Sequence, residues 1–229
     1  MLGPSLLSRI IAWVAVILGT GRLGVGLFAW RTANKLERPK FEVVRRLQGG
    51  VELRNYSPYL IAETEIKTAD MREASGQGFR SCAGYIFGKN KPRAKMDMTA
   101  PVRISAKTGG EQMAMTAPVR SVGGNGRTKV SFVLGSAYSK RSAPTPLSSD
   151  VKVKEVPPHT LAVRTFSGKP PSQRRVDAER LKILQALEAE GLRACDDETL
   201  VYGYHDPFIT PSFMRRNEVC VRVQGNAVA

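Results

Sequence analysis

The sequence predicts an α+β domain made of two ββαββ-like halves related by a pseudo-two-fold axis. Three observations carry this. Residues 96–103 read MDMTAPVR and residues 113–120 read MAMTAPVR, and so short an internal repeat reads as two copies of one element facing each other. Residues 51–58, VELRNYSP, are echoed by VKVKEVPP at residues 151–158, with Val51/Val151, Pro58/Pro158 and Ala62/Ala162 identical at an offset of 100. In both halves a strand pair is followed by a helical pattern, and helices on one side of antiparallel strands define the α+β class.

The elements follow in order from Phe41. Residues 42–47 and 51–56 read as strands about the turn Gln48-Gly49-Gly50, and residues 58–66 as a third. Asp70 is placed to cap a helix, with Glu73 at the capping-box position. That helix runs to about Phe87 and stops at Gly88, with Met71, Ala74, Phe79, Cys82, Ala83 and Ile86 on its apolar side. Gly76, Gly78 and Gly84 are costly inside a helix and point to close packing. In each octapeptide the apolar residues alternate, so the copies read as two antiparallel strands turning at Gly109-Gly110. Pro101 and Pro118 cannot donate to a ladder, so both strands lie at an edge, bulge, or curve away. Residues 129–134 read as a strand and 139–150, rich in Ser and Pro, as a loop.

In the second half, Ser172 is placed to cap a helix that ends at Gly191. Val176, Leu181, Ile183, Leu184 and Leu187 form its apolar arc, and strands over 199–204 and 218–223 close the domain.

The N-terminus has a different composition. No acidic residue precedes Glu37, and Ile10–Leu18 is unbroken apolar sequence. Counted through Arg22 to Trp30, the segment is long enough to span a bilayer, with Trp13 and Trp30 near its ends. Residues 1–36 are thus expected to be a membrane anchor or targeting segment on a domain spanning 41–224. The excess of Lys and Arg after the segment orients that domain to the cytoplasm. A cleaved signal peptide or an organellar transit peptide are the alternatives: the first lacks a clear cleavage site, and the second does not fit the continuous apolar run.

The formal charge is +15, from 35 Lys and Arg against 20 Asp and Glu, which favours anionic partners. The cations are scattered rather than interleaved with aromatics, so nucleic acid is not expected. Cys82, Cys195 and Cys220 have no metal-ligand spacing and read as buried thiols. The two histidines, His159 and His205, lie in no triad, HExxH or phosphate-loop context, and the chain is not expected to be an enzyme. His159 reads as a half-buried strand residue.

The doubled MTAPV phrase resembles the SOUL haem-binding family. The matching pieces occur in family order: residues 74–79 (ASGQGF), 84–88 (GYIFG), 155–157 (EVP), 166–168 (FSG), 206–208 (DPF) and 215–219 (RRNEV). The resemblance implies a distorted antiparallel β-barrel flanked by two helices. It also implies non-catalytic binding of haem or a related tetrapyrrole, non-covalently, against the first helix and the loop before the last strand. Carried onto this chain, the binding residues are Met71, Phe79, Arg80 and Ala83 on the helix, with His205, Phe208 and Phe213 on the loop.

His205 is then the one candidate axial ligand of the metal, the alternative being a loop histidine bonded to backbone. Arg80, Arg215 and Arg216 are candidate propionate partners, although Arg215 and Arg216 also suit a structural role beside Glu218. In the best-known animal haem-binding member the helix carries an Arg and a Lys, and the matching positions here are Gly76 and Gly84. The alternatives are a GyrI-like module for other small amphipathic ligands, or a membrane-tethered protein-interaction domain.

Overall fold

A computed structural model of the chain describes residues 23–68, 70–108 and 123–224, with the side chains of 71, 72, 106–108 and 123–126 left aside. A helix over residues 23–34 (α1) comes first. Then follow β1 (Phe41–Leu47), β2 (Val51–Tyr56), β3 (Tyr59–Ile66), α2 (Met71–Ile86), β4 (Asn90–Lys91), β5 (Val102–Thr108) and β6 (Gly123–Val133). The second half comprises β7 (Thr145–Pro146), β8 (Val151–Val156), β9 (His159–Phe166), α3 (Gln173–Ala189), β10 (Ala194–Gly203) and β11 (Asn217–Val223). β4 and β7 pair with each other, and the other nine strands form one antiparallel sheet in the order β1-β2-β9-β11-β10-β5-β6-β3-β8.

That order contains the two-fold. Exchanging β2, β3, β5 and β6 for β8, β9, β10 and β11 reverses the list from β2 onward, with the axis between β10 and β5. The registers agree as well. Val51 lies opposite Arg164 and Val151 opposite Thr64, the same pairing displaced by 100. The first strand of each half therefore pairs with the second strand of the other half, and neither half completes its own sheet.

Both helices cover one face. Strand alternation puts Leu60, Ala62 and Phe132 beneath Cys82, Ala83 and Ile86 of α2, and Leu53, Ala162, Val219 and Val221 beneath Val176, Ile183 and Leu187 of α3. Each such aliphatic side chain, buried in full, contributes about 1.5–3 kcal/mol. The opposite face holds Tyr56, Leu161, Val163, Leu200, Tyr202 and Cys220, buried with no helix over them among the described residues. Curvature accounts for this. β3 stands five places from β9, about 24 Å away if the sheet were flat, yet the Tyr59 and His159 rings are 5.8 Å apart. The sheet curls into a deep trough lined by this face.

The α+β class stands, with two refinements. The sheet does not close, since β1 and β8 remain edges, so it is a trough rather than a barrel, and α1 is a third helix. The octapeptide hairpin is corrected: residues 92–101 are not strand, and only Val102 and Arg103 of the first copy belong to β5. Met96 and Ala100 are still buried, so their alternation marks an irregular segment packed against the core; Pro101, with no N–H to donate, precedes the strand. The second copy lies outside the described residues. Leu181 is 51% exposed and leaves the apolar arc of α3. Cys195 is exposed, whereas Cys82 and Cys220 are buried.

Among the described residues no helix is long and apolar enough to cross a membrane; the run from Ile10 to Arg22 lies outside them.

Candidate functional site

The first helix is built for close approach. Asp70 Oδ1 accepts the Glu73 N–H, and Thr68 donates to the Glu73 carboxylate, which fixes the start of α2. Gly78 is where the helix meets the sheet: a Cβ there would lie 2.4 Å from the Cβ of Val130. Any larger residue would push α2 off β6. The close packing expected at all three glycines holds at Gly78 against the sheet and at Gly84 against the Lys89 side chain, but not at Gly76.

The outer side of α2 borders a cavity of about 460 Å³ lined by Gln77, Arg80, Ser81, Tyr85, Lys89 and the 146–151 segment. Asn90, wholly buried, donates to the carbonyls of Tyr85 and Ala94 and ties the helix end to the returning chain. Gly88, at φ 111°, makes the reversal, and Lys89 folds back over the helix. A Cβ on Gly84 would lie 3.1 Å from Lys89 Cδ, and one on Gly76 would lie 3.9 Å from the Arg80 guanidinium. Both positions that carry a cation in the family's animal member are thus overlaid here by cations from neighbouring positions. Lys89 escaped the sequence reading because its placement depends on that reversal.

The expected site residues fall into two groups. Phe79, Arg80 and Ala83 lie on α2: Phe79 is 40% exposed with its ring edge-on to Phe132, Arg80 is exposed, and Ala83 is buried. The backbone of Met71 opens the helix. Phe208 and Phe213 lie on the loop before β11 and are 84% and 70% exposed. Asp206 shapes that loop by accepting the N–H groups of Phe208 and Ile209. The loop packs against α1, where a Cβ on Gly26 would lie 2.6 Å from Pro211, and bonds to the start of the β9–α3 connection through Ser212 and Gly168. α2 packs on β3, β5, β6 and β8. The two groups therefore rest on different parts of the domain.

His205 is held by the backbone. The Arg216 N–H donates to Nδ1 at 3.0 Å, so in neutral imidazole the proton sits on Nε2, and Nε2 is buried without a partner among the described residues. Burial, and then Arg38, Arg216 and Arg215, lower its pKa and keep it neutral. In this geometry the ring offers no free lone pair. Among the described residues no group of three or more His, Cys, Asp or Glu side chains is placed to hold a metal ion. His159 is half-buried on β9, stacked on Tyr56 at 5.3 Å, and donates from Nδ1 to the Pro157 carbonyl.

Arg215 and Arg216 are structural. Arg215 donates to the Thr210 carbonyl at 2.6 Å, and Arg216 pairs with Glu218 at 2.6 Å. Glu218 is wholly buried and also accepts from Arg54 at 2.9 Å, from Thr165, and from Tyr204 at 2.6 Å. Burial alone would raise its pKa, but Arg54 and Arg216 more than offset this and hold the carboxyl below its usual range.

Comparison with known proteins follows the same outline. The chain is 28% identical to human Heme-binding protein 2 over 176 residues, 75% of this chain and 77% of that protein. It is 27% identical to the mouse protein of the same name over 187 residues, covering 80% and 84%. Among solved structures, the EcmrR C-terminal domain superposes with a TM-score of 0.54 at 11% identity, covering 76% of this chain and 96% of that one. A Listeria innocua hydrolase gives 0.51 at 10% identity, covering 85% and 98%. At such identities these structures share the fold alone. A match to the SOUL heme-binding protein family spans residues 36–222, and the chain belongs to that family.

Proposed function

We propose that this protein binds haem or a related tetrapyrrole without catalysing a reaction on it, and buffers, transports or delivers it. The observation that carries the reading, beside family membership, is the cationic groove along α2. Arg80 and Lys89 stand over Gly76 and Gly84 at the groove, and Phe79, which does not line the groove, offers a partly exposed aromatic edge elsewhere on the same helix. Carboxylates such as propionates are matched by a guanidinium and an ammonium. The macrocycle would be held by its face and its carboxylates. Axial ligation by His205 would first have to break the hydrogen bond from Arg216. The test is a haemin titration of the protein with the Arg80→Ala/Lys89→Ala double variant alongside. The reading expects a saturable Soret change with affinity about tenfold weaker in the variant, roughly the worth of one charge-assisted hydrogen bond. Equal affinity would remove the groove from the reading.

Membrane attachment through the N-terminal segment belongs to the same proposal. Leu23, Val25, Leu27 and Phe28 of α1 are exposed, and α1 rests on the loop that exposes Phe208, Ile209 and Phe213. A surface of this kind suits a bilayer interface. Flotation with anionic liposomes is expected for the whole chain, and to be weakened by Phe208→Ser/Phe213→Ser. Absence of the whole chain from the floated fraction would refute attachment.

A further inference from the structure

Arg103, the arginine of the first MTAPVR copy, points into the trough and is 5% exposed. Among the described residues no hydrogen bond or ion pair reaches its side chain, and its Nε–H is buried without an acceptor. The carboxylates near it are engaged elsewhere, Glu63 with Lys154 at 2.5 Å and Glu198 with Arg222 at 4.0 Å. A guanidinium so buried and so unpartnered is expensive, and native structures keep such a group for a reason.

Its surroundings are also short of acceptors. Tyr202 lies directly across the β5–β10 ladder from Arg103. Tyr202 and Tyr56 are buried; neither hydroxyl meets full hydrogen-bond geometry with a partner among the described residues, although Tyr202 stands beside Tyr59 and Tyr56 beside Arg54. Tyr59 and His159 close the group from the curled-over strands, their rings 6.4 and 5.3 Å from that of Tyr56. Leu161, Val163 and Leu200 form the apolar floor. Of this group Tyr56 alone also lines a cavity of about 450 Å³, with Phe41, Pro58 and Pro158, and Arg103 stands outside that lining.

We propose that the trough is a second binding site, distinct from the α2 groove, for a monocarboxylate with an apolar tail. The carboxylate would accept from Arg103 and from the hydroxyls of Tyr202 and Tyr56, with its tail on the aliphatic floor. One guanidinium among neutral phenols matches a single negative charge, and the bidentate fork suits a carboxylate. The apolar floor disfavours a fully hydrated inorganic anion. Burial is the first influence on the Arg103 pKa and lowers it, but it is outweighed and the pKa lies above its ordinary value, so the cation is retained.

The test uses the whole chain, with sodium hexanoate and inorganic phosphate as probes. The arginine Nε–H resonance of Arg103 is followed by NMR, and affinity by calorimetry. Hexanoate is expected to bind saturably, to shift that resonance, and to bind at least tenfold more weakly to Arg103→Met. Arg103→Met should also melt at a temperature equal to or above wild type, because it removes a buried charge with no partner. If Arg103→Met does not fold, Arg103→Lys and the wild-type resonance carry the test. No saturable response to hexanoate would overturn the proposal, as would a response confined to phosphate. A tetrapyrrole titration unchanged in Arg103→Met is expected from two separate sites, so failure here leaves the α2 reading untouched.

Discussion

α2 and α3 occupy corresponding places on the two halves of one pseudo-symmetric sheet, yet they are fastened differently. α3 is locked by charge. Glu179 on its inner side is wholly buried and holds Arg164 of β9 at 2.6 Å, with Arg175 and Lys182 of its own helix at 2.9 and 3.3 Å. α2 has no such lock among the described residues and is fastened by contact, through Gly78 against Val130 and the apolar group around Cys82 and Ile86. Its outer side keeps a cavity bordered by two cations, and Phe79, against Phe132 of the sheet, is partly exposed. The difference teaches that two equivalent supports of one pseudo-symmetric sheet can be fastened in different ways, and the proposed function assigns the ligand to the support without the charge lock.

The largest way to break this comparison is Glu179→Ala. It leaves Arg164 without its buried partner, and a loss of about 3 kcal/mol in chemical denaturation is expected. A loss under about 1 kcal/mol would show that the charge lock is not what fastens α3. Gly78→Ala comes next. Alanine gains about 1 kcal/mol in helix propensity, but the methyl collides with the β-branched Val130, and overpacking costs about 1–3 kcal/mol. A net loss of about 1–2 kcal/mol is expected, whereas a gain would mean that α2 rides looser on the sheet.

A pH titration of stability sharpens the scaffold side. Glu218 has a folded-state pKa below its unfolded value. Its stabilisation is therefore complete above the unfolded carboxylate value, about 4.3, and is lost as pH falls through the lower folded value. Denaturation midpoints should hold steady above pH 5 and drop below about pH 4, with a flatter drop in Glu218→Gln. Smallest in stability are Arg80→Ala and Lys89→Ala, each within about 0.5 kcal/mol of wild type because both side chains are surface-placed. Their effect should appear in ligand affinity alone.

Much of the fold was legible because periodicity is local. The strands of residues 41–66 and both main helices appear within one or two residues of where alternation and capping put them, and the strand pair expected before the second helix is present as β8 and β9. The offset of 100 between VELRNYSP and VKVKEVPP emerges as an identical register. What alternation could not tell was whether Met96, Met98 and Ala100 belong to a strand or to an irregular packed segment, in which Thr99, Ala100 and Pro101 are in fact buried in succession. Nor could it distinguish Arg103 from a surface arginine. Between Val102 and Ile104 it reads as the polar side of a half-exposed strand, and only the curl of the sheet buries that side. Lys89 was hidden for a related reason, because it reaches Gly84 through a chain reversal, whereas Arg80 was already a candidate and only its place beside Gly76 was not legible. The Ser172 cap was placed correctly, but its side chain makes no capping bond; its backbone carbonyl accepts from Arg175 and Val176 instead.

The most direct test sets the two helices against each other with one ligand. Phe79 and Leu181 are exposed apolar residues within α2 and α3, at 40% and 51%. Haemin is titrated into wild type, Phe79→Asp and Leu181→Asp, with the Soret band followed to saturation. The account predicts tight saturable binding in wild type and Leu181→Asp, and at least tenfold weaker binding in Phe79→Asp. Equal binding by all three, or a loss confined to Leu181→Asp, would contradict the assignment of the ligand to α2.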